Sequence, residues 1–463
     1  MSAKDSSSEK KSIPEVQTKT QTCSDDCCDQ DSRGVSRRGV MKAAAALGGA
    51  ATFLGSNGAM AQQGPAIATG SQAGRQFRAF VVRENGGAVE TVTMHDLHPD
   101  RVVVRTEAMQ IDYTIVNQVS SYNPPRIPGH GGVGIVEAVG ANVRRVQVGD
   151  RVVVANTPYC GQCYTCLRGR TDRCQMLIQD LIPIGTLSDG IDAVQHNNEG
   201  GFGELMIPYE WYCMPVFNDV SPIELSVIGC SGCFGLGMAF GVAPVTPGSD
   251  VVVFGCGPAG LASIQGAKIK GASQIIAIEP IPERRELALR LGADIALDPN
   301  ADTDTLVDRV KLMCTGPTNR KFAGGRSDLM SRNAIGPDFV MEAVGGDVVP
   351  ALIPGPDPTG ILPLQQAWDL CNSAGHVITG SVFQQGNFSV PAGQWSNGNK
   401  NHHPGNMNGV NGLRDIPIFA RLIEKGQFNA ADLAPSEFPL DQTIEAVRVV
   451  GERSSVGAAL VFN

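Results

Sequence analysis
The chain has 463 residues, a formal net charge of −9, 42% hydrophobic residues and 18% charged ones. That balance is globular rather than disordered, and the acidic sum argues against a nucleic-acid partner, which wants a basic face. No apolar run reaches the roughly 18 residues of a spanning helix, so a membrane bundle is excluded. Fifty-five glycines and 29 prolines predict many turns, and 13 cysteines need a reason.

Residues 1–35 are polar and low in complexity. Ser36-Arg37-Arg38-Gly39-Val40-Met41-Lys42 follows, then the Ala/Gly-rich stretch AAAALGGAATFLG, then Ala59-Met60-Ala61, an A-x-A cleavage pattern. In this order the three elements resemble a twin-arginine export signal peptide over residues 1–61. Cleavage after Ala61 leaves 402 residues with a net charge of −10, and removes Cys23, Cys27 and Cys28. The resemblance implies a periplasmic or exported protein that folds, and loads any cofactor, before it crosses. In an oxidising compartment free thiols survive when buried or metal-bound.

The strongest local signal is CGQCYTCLRGRTDRC, which reads Cys160-x2-Cys163-x2-Cys166-x7-Cys174. Four thiolates this close suit a closed tetrahedral zinc site with Zn–S near about 2.3 Å. Two disulfides are the alternative, but three cysteines within seven residues pair awkwardly. With every coordination position filled, such a site is structural.

Residues 249–297 carry a β-α-β pattern. Ser249–Gly255 reads as a buried strand, Gly255-Cys256-Gly257-Pro258-Ala259-Gly260 as a glycine turn, and Leu261–Lys270 as a helix. The strand Gln274–Glu279, the helix Glu283–Leu291 and the strand Ala293–Leu297 follow. A decoy, Gly129 to Gly134, also fits G-x-G-x-x-G, but a strand follows it where a helix is required. In the copy at Gly255, Gly255, Gly257 and Gly260 allow the tight turn and the approach of a pyrophosphate to the helix N-terminus. Glu279, 19 residues after Gly260, is placed to bond both adenosine ribose hydroxyls. A carboxylate there repels a 2′-phosphate, so NAD is expected over NADP.

Taken together, these pieces resemble the zinc-dependent medium-chain alcohol dehydrogenases over about residues 76–463. The carrying segments are Pro128-Gly129-His130, VGIVEAVGANVRRVQVGDRVVV (133–154), the four-cysteine lobe, Val227-Ile228-Gly229-Cys230, the nucleotide turn and DIPIFARLIEKGQF (415–428). The resemblance implies an α/β chain. A β-rich GroES-like catalytic domain (76–228 and 382–463, with the lobe at 160–174) would be joined to a Rossmann doubly wound parallel sheet for NAD (229–381). It also implies two zincs per chain, one structural and one catalytic in the cleft.

For the catalytic zinc, His130 and Cys230 match two family ligands. Asp112 stands where the family has a first cysteine; it is a legal ligand and leaves the formal charge unchanged. Cys233 is a spare thiol. Thr114 matches the family's relay hydroxyl, whereas the distal relay histidine is replaced by Asn117, which cannot act as a base. Gly131 replaces the acid that commonly follows the ligand histidine. The family's two pyrophosphate arginines fall on Tyr113 and Gly457, so Arg284 is the remaining cation expected near the cofactor phosphates. Residues 316–336 and the Asn/Gly-rich 385–412 read as loops, with His402-His403 as a solvated pair.

The expected activity is zinc-dependent hydride transfer from an alcohol to NAD, in a homo-oligomer that serves a small-molecule alcohol or carbonyl. A redox partner protein is expected if the nucleotide stays bound after export. Two alternatives stand beside it: a metal-free or weak-metal carbonyl reductase of the same fold, and a non-catalytic exported nucleotide-binding protein.

Overall fold
The computed structural model describes residues 70–119, 122–178, 180–301, 305–314, 335–346, 360–383, 386–405 and 407–462. The export segment 1–61 and nearly all of 316–336 lie outside the described residues.

Residues 70–218 and the C-terminal strands build two antiparallel-rich layers. A closed barrel takes Gln76–Arg83, Gly86–Met94, Gly185–Leu187, Asp192–Gln195 and Arg126–Ile127 in that order. Beside it runs a sheet ordered Cys213–Pro215, Arg151–Val154, Gly132–Val139, Val102–Ile111, Ala458–Val461, Ser436–Pro439, with Leu205–Met206 also on Val102–Ile111. Val102–Ile111 is buried at eight of its ten positions, because neighbours pack on both of its faces.

The second half is a six-stranded sheet, parallel throughout. Its order is Ile295–Leu297, Gln274–Ile278, Asp250–Phe254, Phe339–Glu342, His376–Thr379, Asn401–Pro404. Numbered along the chain this is 3-2-1-4-5-6, the doubly wound order, and its direction reverses between Asp250–Phe254 and Phe339–Glu342. Asp250–Phe254 is buried at every position, and Val251–Phe254 within it is an unbroken apolar run, as in a sheet covered on both faces. The helices Pro258–Ile269 and Pro282–Leu291 follow the first two strands, each with proline in its first turn, where a missing N–H costs nothing.

Two expectations are corrected here. The stretch 385–412 is not a loop throughout: Ala392–Asn397 is helical and Asn401–Pro404 is the sixth strand of the parallel sheet. A catalytic segment starting at 382 therefore begins too early, because it would cut that strand from its sheet. His402 is exposed and His403 half-buried, so the pair does meet solvent, but both rings are also held by the neighbouring strand. His402 Nε2 lies 2.8 Å from Thr379 Oγ1, and His403 Nε2 lies 2.9 Å from His376 Nδ1. These contacts to the fifth strand hold a polar segment in the ladder.

One core joins the halves. Ala108, Val133 and Val153 of the antiparallel sheet share one buried cluster with Val251, Leu261 and Met341 of the parallel unit and with Leu236 and Met238 of the helix Ser231–Phe240. Fully burying each leucine is worth roughly 1.5–3 kcal/mol. Gly235 permits the close crossing: a Cβ there would lie 2.1 Å from the Ala259 carbonyl oxygen.

Candidate active site at the junction of the two sheets
Three segments far apart in sequence converge. Asp112 ends the strand Val102–Ile111 and caps the short helix Tyr113–Val116. Its Oδ1 accepts from the Thr114 and Ile115 amides at 3.0 and 3.4 Å and from the Thr114 hydroxyl at 2.5 Å. This is an N-cap, which carboxylates make well. Its other oxygen, Oδ2, lies 3.4 Å from Cys230 Sγ. His130 follows Gly129, whose φ of +91° turns the chain, and its Nε2 lies 3.0 Å from the same sulfur. Asp112 and His130 are buried. Cys230 opens the helix Ser231–Phe240.

Backbone contact sets these distances. Gly131 has φ +85°, and a Cβ on it would lie 2.7 Å from the Gly229 carbonyl carbon and 2.9 Å from the Cys230 nitrogen. A glycine is required here so that the His130 and Cys230 arms can touch. It also explains why the position after the histidine carries no acid.

The donor set of carboxylate oxygen, imidazole nitrogen and thiol sulfur is one that zinc accepts. Around a tetrahedral zinc, bonds of these lengths place sulfur about 3.5 Å from nitrogen or oxygen. The observed 3.0 and 3.4 Å therefore need to spread only slightly. Burial pushes the His130 imidazole toward its neutral form, against the pull of Asp112. Neutral imidazole is the ligating form. Burial and the Asp112 charge push the Cys230 thiol up, so a metal must displace its proton. The residues fit the group, with one rearrangement. Gln118 accepts from the Gly129 amide at 3.0 Å through Oε1, so its Nε2 faces His130 Nδ1 at 2.8 Å. That contact leaves the imidazole proton on Nε2, and metal binding there requires the Gln118 amide to turn.

Thr114 is exposed next to Asp112. Cys233 is buried in the core one turn into its helix and is not brought to the cluster.

The sulfurs of Cys160, Cys163, Cys166 and Cys174 all lie within 4.8 Å of one another. The segment gets there by left-handed turns at Gly161 (φ +77°) and Gly169 (φ +75°). Burial pushes the Cys163 thiol up, but hydrogen bonds from Thr165 and from nearby amides outweigh it and bring the thiol down to about 5. A tight four-sulfur group with one ready thiolate could hold a zinc ion, and these cysteines are free rather than disulfide-bonded.

At the nucleotide turn the three glycines have different tasks. Gly255 has φ +85°, and a Cβ on Gly260 would lie 1.8 Å from the Gly255 carbonyl oxygen. A Cβ on Gly257 would meet nothing within 4 Å, which leaves room for a phosphate at the N-terminus of Pro258–Ile269. Glu279 is buried. Its Oε2 accepts from the Cys256 amide at 2.7 Å and its Oε1 from the Ile281 amide at 2.9 Å, which fixes the carboxylate beside the turn. Arg284 Nη2 lies 3.4 Å from the Ser455 carbonyl oxygen, and burial lowers its pKa.

Four residues escape a reading of local spacing. Arg453 lies with its guanidinium carbon 5.2 Å from the Tyr113 ring centroid and close enough to Arg284 to depress it. A cation thus lies beside Tyr113 although none stands at that position. The others are Gln118, against His130, Glu199, whose Oε2 accepts from the Gly131 amide at 2.8 Å, and Glu342 at the end of the fourth parallel strand. No motif signals these residues; the fold delivers them.

Residues 98–218 match the family described as alcohol dehydrogenase GroES-like domain, and residues 258–360 the one described as zinc-binding dehydrogenase. The chain is 34% identical over 253 residues to a geraniol dehydrogenase of Castellaniella defragrans, covering 52% of this chain and 67% of the relative. It is 31% identical over 253 residues to an S-(hydroxymethyl)glutathione dehydrogenase of Synechocystis, covering 52% and 68%. Among solved structures, a benzyl alcohol dehydrogenase from Acinetobacter calcoaceticus superposes with a TM-score of 0.69 at 24% identity, over 84% of this chain and all of that one; at this identity the likeness speaks for the fold.

Proposed function
Because the chain belongs to the zinc-dependent medium-chain alcohol dehydrogenase family, we propose that it is an NAD-dependent alcohol dehydrogenase with a catalytic and a structural zinc. The carrying observation is the meeting of Asp112, His130 and Cys230 at one point, where the first two are buried and the third half-buried.

Asp112, His130 and Cys230 hold the catalytic metal, and Cys160, Cys163, Cys166 and Cys174 the structural one. Bound zinc supplies Lewis acidity toward an alcohol oxygen, and NAD a hydride acceptor. Gly257 leaves space for the pyrophosphate, and Gly255 and Gly260 shape the turn. Glu279 faces the ribose and disfavours a 2′-phosphate. Arg284 and Arg453 add positive charge at the phosphate end. Thr114, exposed and bonded to Asp112, passes the alcohol proton toward solvent, because Asn117 cannot take it.

Metal analysis tests this. Two zincs per chain, one of them lost in Asp112→Ala, is the expected result. A single zinc that survives Asp112→Ala overturns the catalytic site. A second reading, a metal-free carbonyl reductase, draws on the half of the Asp112 carboxylate already spent on the helix cap. It predicts activity that survives strong chelation. We further propose export by residues 1–61, with NAD loaded beforehand and electrons handed to a partner redox protein. Nucleotide released on denaturing the periplasmic enzyme supports this; empty protein defeats it.

A further inference from the structure
We propose that Glu199 is a positioning residue of the metal site, holding the His130 arm against the Cys230 arm through the Gly131 amide. The inference rests on the metal-site reading above.

Glu199 lies in a segment that zips onto the His130 turn. The Phe202 amide donates to the Pro128 carbonyl at 3.1 Å, and the Gly201 amide to the Gly129 carbonyl at 3.3 Å. The next link is a side chain, because the Gly131 N–H is taken by Glu199 Oε2 at 2.8 Å. The same segment reaches the other arm. Asn197 Nδ2 donates to Asn156 Oδ1 at 3.3 Å, and the Asn156 amide donates to the Gly229 carbonyl at 3.1 Å. Gly131 and Gly229 are the two glycines whose backbones touch. One short segment therefore grips both residues whose contact sets the His130–Cys230 distance.

Glu199 is fully buried, and its second oxygen, Oε1, has no hydrogen-bond partner among the described residues. A carboxylate oxygen left this way is costly and would not be chosen for stability alone. A shorter side chain would not span to the Gly131 amide, and an apolar one would leave that N–H unmet. The required property is an acceptor at this reach, so an amide of the same length should serve.

The test compares Glu199→Ala, Glu199→Asp and Glu199→Gln as full-length zinc-loaded proteins. Zinc release into a chromogenic chelator is followed in time, with the four-cysteine zinc as internal reference. Residues that orient metal ligands change metal affinity by about 10–100-fold. Release of one zinc should quicken by that order in Glu199→Ala and Glu199→Asp and stay within about threefold of wild type in Glu199→Gln. The lobe zinc should leave at the wild-type rate in all three variants. Wild-type release from all three variants overturns the proposal. So does a Glu199→Gln variant that releases zinc as fast as Glu199→Asp. If Glu199→Ala does not fold, the order of the other two variants decides. A wild type that holds only the lobe zinc overturns the metal-site reading and the proposal with it, a result distinct from the other two.

Discussion
Asp112 has two employments. One oxygen caps Tyr113–Val116 and the other faces Cys230. A cysteine there offers a metal donor but is a poor cap. Asp112→Cys should therefore retain two zincs yet lose about 1 kcal/mol of stability, read by denaturant titration. Unchanged stability would show that the cap contributes nothing. Glu342 allows a separate test. Burial pushes its pKa up to about 7, against hydrogen bonds from the Val344 amide and the Ser381 hydroxyl. A raised acid pKa favours the protonated form in the fold. Its stabilising effect is thus full below the usual glutamate range and fades as pH rises through 7, by on the order of 3 kcal/mol. Glu342→Gln should flatten the fall in melting temperature between pH 4.5 and pH 7, and an unchanged slope would refute the assignment. His130, Cys230 and Glu279 were legible because each sits in an ordered phrase. Glu199 and Arg453 were not, because the fold brings them in from elsewhere.

The glycine turn shows how far an element can be read. Its strand–turn–helix order was plain in the sequence, and the strand and helix stand within a few residues of expectation. The three glycines are nonetheless unequal. Gly257→Ala adds a methyl to open space, so the melting temperature should hold while NAD binding, read by calorimetry, weakens several-fold. Gly260→Ala drives a methyl into the Gly255 carbonyl and should destabilise by about 1–3 kcal/mol. Equal stability losses in the two would contradict this division. The sixth strand was illegible. Asn401–Pro404 lacks the β-branched and aromatic residues that mark strands, and it forms because the fifth strand offers a parallel ladder and polar partners for His402 and His403.

Across the whole molecule, the resemblance foresaw a GroES-like half and a Rossmann half, and both are present. It did not foresee how thoroughly they share a core, since burial through Leu236, Met238 and Gly235 depends on shape rather than pattern. With one large apolar cluster spanning both, the halves should unfold together. Scanning calorimetry of the chain cleaved after Ala61 is expected to show one transition, with NAD shifting all of it upward. Two resolved transitions, with only one moved by NAD, would refute the shared core.

The Asp112 cap has one more consequence. The Thr114 and Ile115 amides are held by the same carboxylate that faces the sulfur of Cys230. An ion that fixes that carboxylate also stops it from rotating off the helix. Occupancy is thus written into the protium–deuterium exchange of two amides, which should slow on loading and quicken on stripping. A spectroscopically silent ion would gain a backbone reporter from the chain itself.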